Sequence, residues 1–172
     1  MKQNFDKSLA FLIAPDREGG FVNNPKDPGG MTNMGVTKKA WEEWVGRASS
    51  EKEMRALKPA NVEAFYKRKY WDKVSGNLLP SGVDYAVFDF AVNSGPGRAA
   101  KVLQRVLGVK QDGDIGLVTL EKAMSIGSKK LVEDYNAERL LFLKSLPTWP
   151  DFGNGWERRV SEVTNEASTM IT

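Results

Sequence analysis

The sequence predicts a mainly α domain with one small glycine-rich β-hairpin lobe near its N-terminus. Apolar residues recur at helical spacing in one segment after another, and glycines crowd a single early stretch. No linker, internal repeat or low-complexity segment divides the 172 residues. At that length one domain spanning 1–172 is expected, large enough to bury a sizeable core.

The elements follow in order. Phe5, Leu9, Leu12 and Ile13 share one helical face, with Asp6 in the first turn. Pro15 ends that helix near Ala14, because a residue before proline disfavours α geometry. Gly19, Gly20, Gly29, Gly30 and Gly35, with Pro25 and Pro28, punctuate a weak alternation of Phe21, Val22, Met31 and Met34. That pattern reads as a turn-rich β-hairpin or an irregular lobe. Thr37 caps a short helix carrying Ala40, Trp41, Trp44 and Val45, and Gly46 stops it. Ser50 and Glu53 form a capping-box pattern ahead of Met54 and Leu57, with Pro59 closing the segment. Val62, Phe65, Tyr66, Lys69 and Tyr70 repeat the helical spacing. Residues 83–92 are apolar almost all round, broken only by Asp84 and Asp89, and so predict a buried central helix. The 93–96 run Asn-Ser-Gly-Pro stops it. Ala99, Val102, Leu103 and Val106 begin another helix, ended by Gly108. Further helices are predicted over 131–146 and 156–170.

Composition narrows the chemistry. There is no His and no Cys, which excludes a Ser-His-Asp triad, a thiolate nucleophile and a Cys/His zinc site. Acid–base work falls to carboxylates, Lys or Tyr, and glycosidic hydrolysis runs on carboxylates. The net charge of +3 comes from 25 basic and 22 acidic residues spread along the chain. A solvated surface and a polyanion footprint both remain open. No basic stripe with interleaved aromatics marks a nucleic-acid site. The apolar stretch at 9–14, flanked by Asp6 and Pro15, is too short for a signal-peptide core. No segment approaches the roughly 20 apolar residues that span a bilayer. Synthesis in the cytoplasm without a signal peptide, and no membrane insertion, are expected.

The most informative segment is 18–37. Glu18 follows an apolar helix and precedes two glycines; a carboxyl held beside apolar groups is pushed toward general-acid duty. An exposed helix-end charge is the other reading. Asp27 stands before Pro28-Gly29-Gly30, which is also a good turn sequence by itself, and Thr32 is equally ordinary in a strand. Together a helix-end glutamate and an aspartate and threonine in a facing lobe can surround one sugar ring. An inverting glycosidase needs an acid and a base-held water, with carboxyls roughly 6.5–9.5 Å apart. Asn93 is either a substrate N-acetyl contact or a plain helix end. Tyr66, Tyr70 and Trp71 either line a sugar cleft or belong to the core. The 112–116 run resembles a calcium loop only superficially: Gly116 and Ala123 stand where oxygen ligands are needed, so a turn before a helix near Leu117 is expected and no metal. Trp149 and Trp156 bracket a Pro/Gly-rich loop.

Segment 18–37 resembles the signature of glycoside hydrolase family 108: Glu18-Gly19-Gly20-Phe21, Pro25, Asp27, Gly29-Gly30, Thr32 and Gly35-Val36-Thr37 all match. The resemblance continues through YKRKYW at 66–71, FDFAVNSG at 88–95, Leu103-Gln104, and Asp112-Gly113, Gly116 and Thr119. Pro15 and Asp16 interrupt the helix that usually runs into the glutamate. Thr32 also lies one position closer to Asp27 than in phage-type lysozymes. The resemblance implies a lysozyme-like fold, with the catalytic motif in 1–95 and a peptidoglycan-binding-like helical half in 96–172. It implies an N-acetylmuramidase with Glu18 as catalytic acid and no cofactor, acting in the periplasm or on the wall. The expected partners are peptidoglycan glycan strands and a holin-like export pore, with the protein monomeric. A phage or prophage endolysin and a secretion-associated muramidase both fit. A catalytically silent peptidoglycan-binding protein is the rival, and a nucleic-acid-binding protein a distant third.

Overall fold

The computed structural model describes residues 2–15, 17, 19–23 and 30–171. Among them the elements run α1 (Lys2–Leu12), β1 (Phe21–Asn23), β2 (Met31–Asn33), β3 (Val36–Thr37), α2 (Lys38–Val45), α3 (Glu51–Arg55) and α4 (Pro59–Tyr66). A π-turn at Lys67–Trp71 and two 3-10 turns lead to α5 (Val83–Ser94), α6 (Pro96–Leu107), α7 (Leu117–Met124), α8 (Ser128–Lys144) and α9 (Trp149–Met170). The fold is mainly α with one small antiparallel sheet. No described helix is long and apolar enough to cross a membrane. Contacts group the chain into two compact units, 6–69 and 1–5 with 70–172.

In the 6–69 unit the sheet order is β1-β2-β3, one strand more than the expected hairpin. Met34 and Gly35 join β2 to β3 with φ of 48° and 74°. Positive φ at both central residues is the turn geometry that matches strand twist. Thr37 Oγ1 accepts from Ala40 N to cap α2, and Gly46, at φ 74°, ends that helix as expected. Ser50 and Glu53 form both bonds of the capping box of α3. Pro59 opens α4 at its first turn rather than closing the segment before it; its missing N–H costs nothing there. The core includes Leu12, Met54, Val62 and Phe65, with Trp44 edge-on to Phe65 at 5.8 Å.

In the other unit α5 is the buried centre, packed on α6, α8 and α9. Residues 83–94 thus group with the downstream helices. Tyr85 donates to Glu166 Oε2 at 2.6 Å and Tyr135 to the Ala99 carbonyl at 3.2 Å. Phe5, Trp71 and Phe88 meet edge to face at 5.3 to 6.0 Å. Gly82, at φ 85°, opens α5 where a Cβ would press on the Ala167 carbonyl, 2.7 Å away. The last helix starts at Trp149, seven residues ahead of the predicted start, with Pro150 in its first turn. Gly153 permits this, since any Cβ there would strike the Trp149 indole.

Candidate functional site

Glu18 and Asp27 lie outside the described residues; near position 18 the described neighbours are Arg17, Gly19 and Gly20. The first helix ends at Leu12, two residues short of the expected Ala14, although Ile13 N still bonds Leu9 O at 3.0 Å. The Ala14 carbonyl then accepts from both Arg17 N and Gly19 N, each at 2.9 Å. Gly19 is packed so closely that a Cβ would collide with the Ile13 carbonyl oxygen. Gly20 follows at φ 117°, a region open to glycine, and its carbonyl accepts from Met34 N at 3.3 Å. The chain on either side of position 18 is therefore tied to one carbonyl oxygen and joined to the sheet.

Thr32 is the middle residue of the central strand, opposite Val22 of β1 and Thr37 of β3, and half-buried. Side chains alternate across a strand. Its neighbour Asn33 turns to the other face, where Nδ2 donates to the Met54 carbonyl at 2.7 Å. Arg55 lies over the Phe21 ring, 4.0 Å from its centroid. Tyr66 is 1% exposed, and its hydroxyl donates to the Met34 carbonyl at 2.6 Å. For Tyr66 and Trp71, the core alternative describes what the structure contains: Trp71 is fully buried, with Nε1 donating to Asn77. Tyr70 is half-buried, and burial pushes its hydroxyl pKa up.

In the larger unit Asn93 stands exposed in the last turn of α5, donating Nδ2 to the Asp89 carbonyl at 2.7 Å. It lines a cavity of about 200 Å³ with Ser94, Arg139, Thr148, Trp156 and Arg159. Beneath it Asp89 accepts from Arg139 Nη2 at 2.7 Å and from Arg159 Nη2 at 2.9 Å. Sequence reasoning noticed Asp89 as an interruption of an apolar helix but did not pair it. A buried carboxylate demands a cation; what the sequence does not display is that the partners lie 50 and 70 positions downstream. Asp112 accepts from Gln104 Nε2 and Asp114 N, forming the turn expected ahead of α7, which starts at Leu117.

A mainly α, lysozyme-like fold whose small β lobe comes directly after an E-G-G sequence points to the glycoside hydrolases. A family model described as Glycosyl hydrolase 108 matches residues 13–95. The structure of Brucella abortus SagA is 44% identical, with 99% of this chain and 97% of that chain covered and a TM-score of 0.86. The chain belongs to the glycosyl hydrolase 108 family.

Proposed function

We propose that this glycosyl hydrolase is an N-acetylmuramidase, cutting the β-1,4 bond between N-acetylmuramic acid and N-acetylglucosamine in peptidoglycan. Glu18 protonates the glycosidic oxygen. Asp27, with Thr32, holds and activates water on the opposite face of the sugar. Asn93, at its exposed helix end, and Tyr70 contact the glycan. No cofactor takes part, because proton transfer between carboxyls, water and the leaving oxygen completes the reaction.

The observation that carries this function is the turn after α1. Arg17 and Gly19 share the Ala14 carbonyl, so the backbone flanking the motif glutamate is held in place, as a general acid requires. The protein acts as a monomer on glycan strands in the periplasm or wall. It serves either as an endolysin released through a holin-like pore or as a muramidase that opens the wall for secretion. Zymography on purified peptidoglycan, followed by mass spectrometry of the soluble products, tests the assignment. Reducing-end muramic acid is expected. Reducing-end N-acetylglucosamine would overturn it, and pelleting with the wall without release of glycan would leave only a binder.

A further inference from the structure

A second cleft lies away from the Asn93 cavity, between α6, the 111–113 loop and α8. It measures about 550 Å³, with Arg98, Lys101 and Arg105 on one wall, Gln111–Gly113 on the other and Phe142 at its side. That volume suits a small ligand or a few peptide residues. Its loop wall is built in advance. Gln104, 1% exposed, donates Nε2 to Asp112 Oδ1 at 2.7 Å and to the Asp114 carbonyl at 2.8 Å. The Gln104 amide oxygen accepts from Gly113 N at 2.9 Å. Gly113, at φ 85°, sits where a Cβ would come within 3.3 Å of the Gly97 carbonyl and of Lys101 Cε.

The cations differ in what they already hold. Arg105 is committed, with Nη1 on Glu138 Oε1 at 2.8 Å. Among the described residues neither Arg98 nor Lys101 has an ion-pair partner. The Arg98 guanidinium instead lies over the Phe142 ring, 4.4 Å from its centroid. Stacking orders a guanidinium while leaving its N–H edge for a planar, bidentate acceptor. Lys101, three residues on, stands on the same helical face.

We infer that this cleft binds a short acidic peptide through its carboxylates, with Arg98 as the bidentate contact and Lys101 beside it. The peptide class on hand for a wall hydrolase is the stem peptide of peptidoglycan, a choice that rests on the muramidase assignment. A polyphosphate fits less well, since the cationic row stops where Glu138 neutralises Arg105, and extended backbone tracking needs more sites.

Amide NMR of the full chain tests this, with Gly97 and Gly113 as reporters. The probes are a disaccharide-tetrapeptide, the free tetrapeptide, the unsubstituted disaccharide and a short oligonucleotide. Both peptide-bearing probes should shift the reporters, more weakly as salt rises, and the disaccharide should not. The Arg98→Gln/Lys101→Gln double variant should bind at least tenfold more weakly, and on purified wall should raise KM with kcat unchanged. Shifts with the disaccharide alone, tighter binding of the oligonucleotide, or no shift with either peptide probe would overturn the inference. Wild type that binds tetrapeptide yet releases no glycan would remove the muramidase function and leave the cleft assignment standing.

Discussion

Asp89 and Arg139 meet at 2.7 Å with side chains 0% and 2% exposed, and Arg159 closes on the same carboxylate at 2.9 Å. Burial alone would raise the Asp89 pKa, but the charges and hydrogen bonds of Arg139 and Arg159 outweigh it and hold the group below its ordinary value. A carboxylate whose pKa falls on folding stabilises the native state above its unfolded pKa of about 4, and that stability is lost as pH drops through the folded value. Asp89→Asn strips the counter-ion from two guanidiniums on the inner helices and is expected to cost about 3–5 kcal/mol at neutral pH. Urea unfolding of both proteins from pH 7 downward measures it. The gap between them should narrow below about pH 4; a neutral-pH cost under about 1 kcal/mol would contradict the account.

Tyr66→Phe separates the two roles open to that ring. Removing the hydroxyl leaves the Met34 carbonyl without its donor, at a residue already held at φ 48°. An unsatisfied buried acceptor costs about 1–3 kcal/mol. The expected outcome is a loss of that size in denaturant unfolding, with KM on purified wall unchanged at temperatures where the variant is folded. A raised KM with unaltered stability would return Tyr66 to the glycan.

Local signals in the sequence were legible where the physics is local. Thr37, Gly46, Ser50 and Glu53 act within four residues of themselves, so their caps could be read directly. The all-round apolar character of 83–92 announced a buried helix, because burial on every side leaves no polar face. Pro59 and Trp149 were misplaced for a shared reason: proline is tolerated in the first turn of a helix as readily as beyond its end, and Gly153 hides a helix that its packing on Trp149 supports. The β lobe gained a third strand because a two-residue turn at Met34-Gly35 needs positive φ at a non-glycine, which tertiary contact with Tyr66 supplies. The Asp89 cluster was invisible for want of any rule linking one acid to arginines on α8 and α9. For the site, the E-G-G segment singled out Glu18 as the proposed acid, while the close packing of Gly19 against the Ile13 carbonyl depends on how the chain folds back and has no signal in the sequence.

Two variants test the acid from different directions. Glu18→Gln removes the proposed proton donor alone and should lower turnover on purified wall by about 10²–10⁴-fold, with an unchanged circular dichroism spectrum. Gly19→Ala leaves Glu18 intact but sets a methyl against the Ile13 carbonyl, forcing the turn to move. Misplacing a catalytic group by about 1 Å can cost on the order of 10²-fold, so a substantial fall in kcat is expected there too. Retention of more than about a tenth of wild-type turnover by the Gln variant would remove Glu18 from the reaction.

Asp27 is the residue whose two roles predict opposite results. As the group that holds water, its change to Asn should abolish most activity at little cost in stability, because Asn suits turns as Asp does. As a turn residue only, the same change should be nearly silent in both assays. The anomer decides the mechanism independently of the variant. A carboxylate that holds water between itself and the anomeric carbon is the arrangement of inverting enzymes, where the carboxyls stand about 6.5–9.5 Å apart rather than about 5–5.5 Å, and that is the role proposed for Asp27. Inversion of a β-1,4 bond releases the α-anomer first. Proton NMR during the first turnovers should therefore show the α-anomer ahead of mutarotation. Initial release of the β-anomer would require a covalent intermediate and would make Asp27 the nucleophile or a bystander.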